Sequence, residues 1–199
     1  MTTGRSTPAP GLALDSLQDS GNCLYVVDSD LVITYVNPVY LRFAEENGGT
    51  EIAERFSVGC QILDAINGPL RDFYKDLYER ALRDMEVIEH EYECSAADTF
   101  RWFRMHIFPL GDAHGLLVDH SLIVSRDHDR EPYRFVPESY INGDGFLIQC
   151  GHCRRIKHQK ANRWDWCPDA LGRLKISHGL CDSCLEHYYP DPDKQAAPG

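Results

Sequence analysis

Two Cys-x-x-Cys pairs, Cys150-Gly151-His152-Cys153 and Cys181-Asp182-Ser183-Cys184, constrain this chain more than any other feature. Two intervening residues let a tight turn aim both sulfurs at one ion at about 2.3 Å, while amides of the turn donate to the thiolates. Two such knuckles complete a tetrahedron and leave no position for water, so the expected site is structural. Zinc is the expected ion, bound by Cys150, Cys153, Cys181 and Cys184, and the spacing alone leaves an iron–sulfur cluster open. A thioredoxin-like redox pair would need a βαβ setting, which is absent. Covalent haem would need His directly after the second Cys, where Arg154 and Leu185 stand. Apolar residues between Cys150 and Tyr189 are few, and a segment of about 40 residues does not hold itself together by a core alone. Metal binding would supply the missing stability. His178 and the extra thiol Cys167 are candidates to support a thiolate or replace a ligand. His152 is expected to point to solvent.

Charge and cysteine density both suggest two domains. The net charge is −11, yet Cys150–Tyr189 carries seven basic and four acidic residues, so this stretch is near +3 and the remainder near −14. A whole chain this acidic is not expected to wrap nucleic acid. For the basic stretch, with Trp164 and Trp166, a solvated face is favoured over a nucleic-acid surface. Apolar runs such as Leu116–Val118 are too short to cross a bilayer. Met1–Gly11 has no apolar core, so no secretory signal is read, and a cytoplasmic location is expected. In that reducing compartment metal or redox roles outrank disulfides for the eight cysteines.

Upstream of the cysteine pairs the pattern is α+β. Leu12–Leu17 reads as a short lead-in helix. Leu24–Asp28 and Leu31–Val36 are β-branched and aromatic runs separated by Ser29-Asp30, which predicts a hairpin. Asn37-Pro38 ends the second strand, and Tyr40–Glu46 reads as a short helix. Asn67-Gly68-Pro69 opens a long helix with Leu70, Phe73, Tyr74, Leu77 and Ala81 on one face. Three strands follow: Val87–Cys94, Thr99–Leu110 and His114–Val124. In the first, Glu89, Glu91 and Glu93 form a stripe expected to be solvated. In the second, Phe103, Met105 and Ile107 share a face opposite Trp102, Arg104, His106 and Phe108. The polar stretch from Ser125 to Asp144 reads as a linker.

The run Leu24–Asp30, continued by Ile33-Thr34-Tyr35-Val36-Asn37-Pro38, resembles the opening of a PAS domain. Ser57–Asp64 is similar to that family's glycine-containing middle turn, and Trp102-Phe103 with Gly115–His120 to its last two strands. The resemblance implies a five-stranded antiparallel sheet with flanking helices over residues 15–127, while polar composition marks a linker over 128–144 and the cysteine pairs a four-cysteine module over 145–190. The resemblance also implies a small ligand or partner held between sheet and helices, with His90, Tyr92, Cys94 and His120 as possible pocket residues. The ligand stays unknown. Flavin photoreceptors of this class carry a Cys three residues after the middle Gly, where Ile62 stands here, and haem-binding members a His on the long helix, where Pro69–Asp84 has none. His90 and Cys94, four apart on one strand, would lie roughly 13 Å apart and so cannot share a metal directly.

The C-terminal segment resembles a small cysteine-rich module appended to some bacterial PAS and response-regulator proteins. Cys150–Ile156 and Ser177–Cys181, with Cys184 and Tyr189-Pro190, carry that resemblance. Between them the module has a Trp and an amphipathic helix, to which Trp164–Leu174 is similar. The expected protein is therefore a non-catalytic bacterial signalling protein, a PAS sensor joined to a structural zinc module that binds a protein partner. A histidine kinase or response regulator is the expected partner, and a homodimer the expected assembly. One alternative is a component or relative of a sensor histidine kinase, although the 75 residues after Val124 hold neither a phosphoacceptor helix nor an ATP-binding domain. The other is a thiol–zinc redox switch, in which oxidation ejects the metal.

Overall fold

Asp28 closes the first hairpin by accepting from the amides of Asp30 (3.0 Å) and Val32 (2.9 Å) through Oδ1. Leu31 takes φ 62° in that turn. The computed structural model describes residues 14–46, 56–66, 69–96, 98–111, 113–170 and 175–189. The hairpin joins β1 (Cys23–Asp28) to β2 (Ile33–Val36), after a short helix α1 (Leu14–Gln18). Asn37 then turns the chain into α2 (Pro38–Glu46). It is fully buried, and its Oδ1 accepts from the amides of Leu24 and Tyr40, both at 3.0 Å. Its amide nitrogen donates to the carbonyl of Asn22 at 2.8 Å. One side chain thus ties the start of β1 to the start of α2. Only a residue carrying both donor and acceptor can do this.

The middle turn passes through Gly59 at φ 95°, a left-handed conformation that costs glycine nothing. The amide of Gly59 bonds Ile33 at 2.7 Å, which ties the turn to β2. A 3₁₀ turn (Ile62–Ala65) leads to α3 (Pro69–Asp84). The predicted apolar face of α3 is turned inward, with Leu77 and Ala81 buried. Tyr78, absent from the predicted set although eight residues after Leu70, is the largest fully buried side chain. Asn67 and Gly68, expected to open the helix, lie outside the described residues.

Strands β3 (Ile88–Glu93), β4 (Thr99–Leu110) and β5 (Gly115–Asp127) complete a five-stranded antiparallel sheet in the order β2-β1-β5-β4-β3. β1 pairs with β5 from Cys23↔His120 to Asp28↔Gly115. A Cβ on Gly115 would stand 2.2 Å from the Val27 carbonyl oxygen, so only glycine lets the strands close there. β4 keeps its predicted alternation, with Phe103, Met105 and Ile107 buried. β5 runs on through Asp127, into what the sequence suggested was linker.

Backbone contacts divide the chain into two units. The first comprises residues up to His90 together with Arg104–Leu122. The second comprises Glu91–Phe103 and residues from Ile123 onward, so the tips of β3 and β4 group with the cysteine segment. A second sheet, β8-β7-β6-β9, is built from β6 (Leu147–Cys150), β7 (Ile156–Lys157), β8 (Trp164–Asp165) and β9 (Ile176–Gly179). β6 and β9 run parallel, and β6 and β7 form a hairpin. α4 (Pro137–Tyr140), within the stretch read as a linker, puts Tyr140 into a core with Leu147, Ile156, Cys167 and Ala170. The Tyr140 hydroxyl donates to buried Asp165 at 2.8 Å. The helix expected within Trp164–Leu174 is not formed by its described part. Trp164 and Asp165 pair with β7, and Pro168–Ala170 make a single 3₁₀ turn. The described part of the chain ends in α5 (Asp182–Tyr188).

Candidate metal centre

Each cysteine pair takes its position from a different kind of local structure. Cys150 ends β6, and Cys153 lies in the turn that follows, where Arg154 at φ 60° reverses the chain toward β7. The amide of Cys150 bonds Arg155 at 2.8 Å and the amide of Arg154 bonds Cys150 at 3.1 Å, which fixes the knuckle. Cys181 caps the N-terminus of α5, and Cys184 sits in its first turn. Parallel pairing of β6 with β9 delivers the second pair to the first, since Cys150 lies opposite Gly179, two residues before Cys181. This explains how pairs 27 residues apart meet.

All four sulfurs lie within 4.8 Å of one another, and all four residues are buried. Cys153 and Cys181 sulfurs stand 3.6 Å apart. That is far beyond a disulfide bond and close to the ~3.8 Å edge of a tetrahedron with 2.3 Å metal–sulfur bonds. The Cys181 amide donates to the sulfur of Cys150, and the Cys184 amide to that of Cys181, both at 3.4 Å. Hydrogen bonds from the other three thiols pull Cys150 well below the ordinary thiol range. The same crowding, led by Cys150, holds Cys184 above it. Four soft donors converge with amides already turned toward two of them, so the cluster fits a metal ion.

The remaining candidates are dispersed. Cys167 is buried in the Tyr140 core, outside the cluster. His178 is exposed on β9, also outside the cluster. His90 and His120 belong to the first unit, Tyr92 and Cys94 to the second. His90 stands 5.1 Å from the Phe73 ring, and His120 lies 5.6 Å from Tyr25. Burial, aided by His90, lowers the His120 pKa to about 4. Tyr92 stacks on Phe103 at 5.8 Å, and burial raises the Cys94 thiol.

Two expectations are corrected here. His152 does not face solvent. It is 8% exposed, and its ring stacks on Tyr189 at 5.3 Å. Nδ1 donates to the carbonyl of Glu93, which can only accept, so neutral Nε2 accepts from the Tyr189 hydroxyl. Glu93 does not continue the solvated acidic stripe. It is 5% exposed, and Arg130 Nη2 donates to its two oxygens at 2.7 and 3.0 Å. Strand alternation sets a side chain's face but not what lies over it, and neither Arg130 nor the cysteine turn is visible from β3 alone.

The profile of the PAS fold matches residues 17–130, more than half the chain, and the chain belongs to that family. No curated protein matches its sequence. Solved structures similar to it include a phage VqmA–DPO complex, at 17% identity and TM-score 0.41, covering 55% of this chain and 50% of that one. The chain thus spans half the length of that relative. The PAS domain of Bordetella pertussis BvgS shares 21% identity at TM-score 0.43, over 57% of this chain and 85% of its own. A sensory box sensor histidine kinase from Vibrio cholerae shares 19% at TM-score 0.37, over 55% and 88%. Among the described residues no helix is long and apolar enough to cross a membrane.

Proposed function

We propose that the chain is a non-catalytic signalling protein whose PAS sensory domain is joined to a zinc-stabilised module that presents a surface to a protein partner. The observation that carries this reading is the closed, buried set of Cys150, Cys153, Cys181 and Cys184 in a chain of the PAS family. Four protein donors around one ion leave no open position for substrate or water, so the metal's contribution is stability. Sulfurs this close suit a single ion better than a multi-iron cluster, whose ligands sit on separate irons. A reducing compartment, the cytoplasm, keeps four such thiols available to the ion. A histidine kinase or response regulator is the partner class that this role requires, and self-association through the PAS domain is part of the reading.

Native mass spectrometry of the full chain, with elemental analysis, tests it. One zinc per chain and no phosphate transfer from ATP are expected. A chain that binds no metal, holds iron in its place or phosphorylates itself would overturn the reading.

A further inference from the structure

The knuckle carrying Cys153 is held from outside as well as by its own turn. The amide of Ser95 donates to the carbonyl of His152 at 3.1 Å, and His152 Nδ1 donates back to the carbonyl of Glu93. Arg154 Nε donates to the carbonyl of Ser95 at 2.5 Å, and the Ser95 hydroxyl to Glu93 at 2.5 Å. Arg130 completes the set, with one nitrogen on Glu93 and the other on the carbonyl of Cys153 at 2.6 Å. One of these bonds runs from backbone to backbone, the side chains of His152, Arg154 and Arg130 anchor three further carbonyls, and a largely buried ion pair braces the set. Removing one member of such a pair strands the other in a dry site.

The consequence concerns both partners of the clasp. The turn around Cys153 cannot relax without breaking bonds to residues 93–95, and those residues cannot fray without releasing the turn. We propose that metal loading of the four cysteines and ordering of the β3–β4 tip are one coupled event, transmitted through Glu93, Arg130 and His152. This rests on reading the cluster as a metal site. β3 and β4 run on from the tip as Ile88–His90 and Arg104–Leu110, strands of the PAS sheet, so occupancy of the metal site reaches that sheet along the chain. Coupling of this kind is reciprocal, so loosening the clasp weakens metal binding by the factor by which metal loss loosens the clasp.

Hydrogen exchange on the intact chain, zinc-loaded and then chelator-treated, tests the proposal, with native mass spectrometry reporting the metal. Chelation is expected to speed exchange at Cys94, Ser95 and Ala96 by about tenfold or more, with β1 amides unchanged. Competition titration of Arg130→Gln is expected to show zinc held about tenfold more weakly than by the parent. Zinc release with unchanged exchange at 94–96, or parental affinity in a folded Arg130→Gln chain, overturns the coupling and leaves the metal site standing. A parent chain that binds no metal overturns both. The chelation arm needs no variant, so it decides even if Arg130→Gln misfolds.

Discussion

The two units are stabilised by different means. In the first, Val26, Val27, Ile33, Met105, Ile107, Leu116 and Val118 are essentially inaccessible, and layers of aliphatic side chains hold the sheet. In the second, Leu147 and Ile156 are the only aliphatic side chains of that standing among the described residues. Buried aromatics such as Tyr140 and Trp166, four buried cysteines and a buried polar network stand where the first unit has aliphatic layers. Hydrophobic stabilisation is spread over many contacts, so each can be weakened singly. A metal cluster concentrates stability at four atoms and is lost with one of them.

The largest expected effect tests that contrast directly. Cys181→Ser should release the metal and unfold the second unit, because structural zinc contributes roughly 10 kcal/mol or more at neutral pH. The first unit should keep its fold, and Cys94→Ser should keep its metal. Elemental analysis with circular dichroism of both variants reads the difference. If Cys94→Ser loses metal and Cys181→Ser does not, the site has been misplaced.

Asn37→Ala should cost about 3 kcal/mol, the most expected here of any single change in the first unit. It removes a fully buried side chain that bonds Leu24, Tyr40 and Asn22, and so strands buried backbone groups. Chemical denaturation should show a lower midpoint for the first unit with the metal still bound. A loss below about 0.5 kcal/mol would mean that water replaces the side chain.

Acid should weaken the first unit next. The folded pKa of His120 lies near 4, depressed by burial and by His90, whereas an unfolded histidine titrates near 6.5. The unfolded chain therefore binds the extra proton first. Stability from this group is complete above about pH 6.5 and lost as pH falls toward 4, by on the order of 2–3 kcal/mol. Denaturation midpoints of the parent and His120→Phe, measured between pH 7 and pH 4.5, should converge or cross as the parent loses this contribution. Parallel lines would exclude His120 as the cause.

How much of this was legible in the sequence follows the same division. The β1–β2 hairpin, the inward face of α3 and the alternation of β4 are local patterns, and they stand where periodicity put them. The four cysteines were legible because metal chemistry fixes their spacing. Glu93, His152 and Arg130 were not, since each owes its burial to a residue 37 or 59 positions away. Their short-range patterns read as solvated strand and loop. For Trp164 and Asp165 the module resemblance implied a helix, and their pairing with β7, set by residues outside that stretch, gives strand instead.

Tyr78 gives the smallest and most local test. Its hydroxyl lies 2.7 Å from that of Tyr25, the pair is buried, and burial pushes the Tyr78 pKa well above the ordinary range. Tyr78 therefore stays protonated throughout the working range of the protein, and the pair acts as one neutral hydrogen bond between α3 and β1. Tyr78→Phe keeps the ring and removes only that bond, which costs about 1 kcal/mol. A double-mutant cycle with Tyr25→Phe should return most of that as coupling, because either change alone breaks the same bond. Additive losses would show that the hydroxyls stabilise the first unit separately. Apolar contact alone would then hold α3 to β1 at this point, a sharper contrast with the second unit than the structure draws.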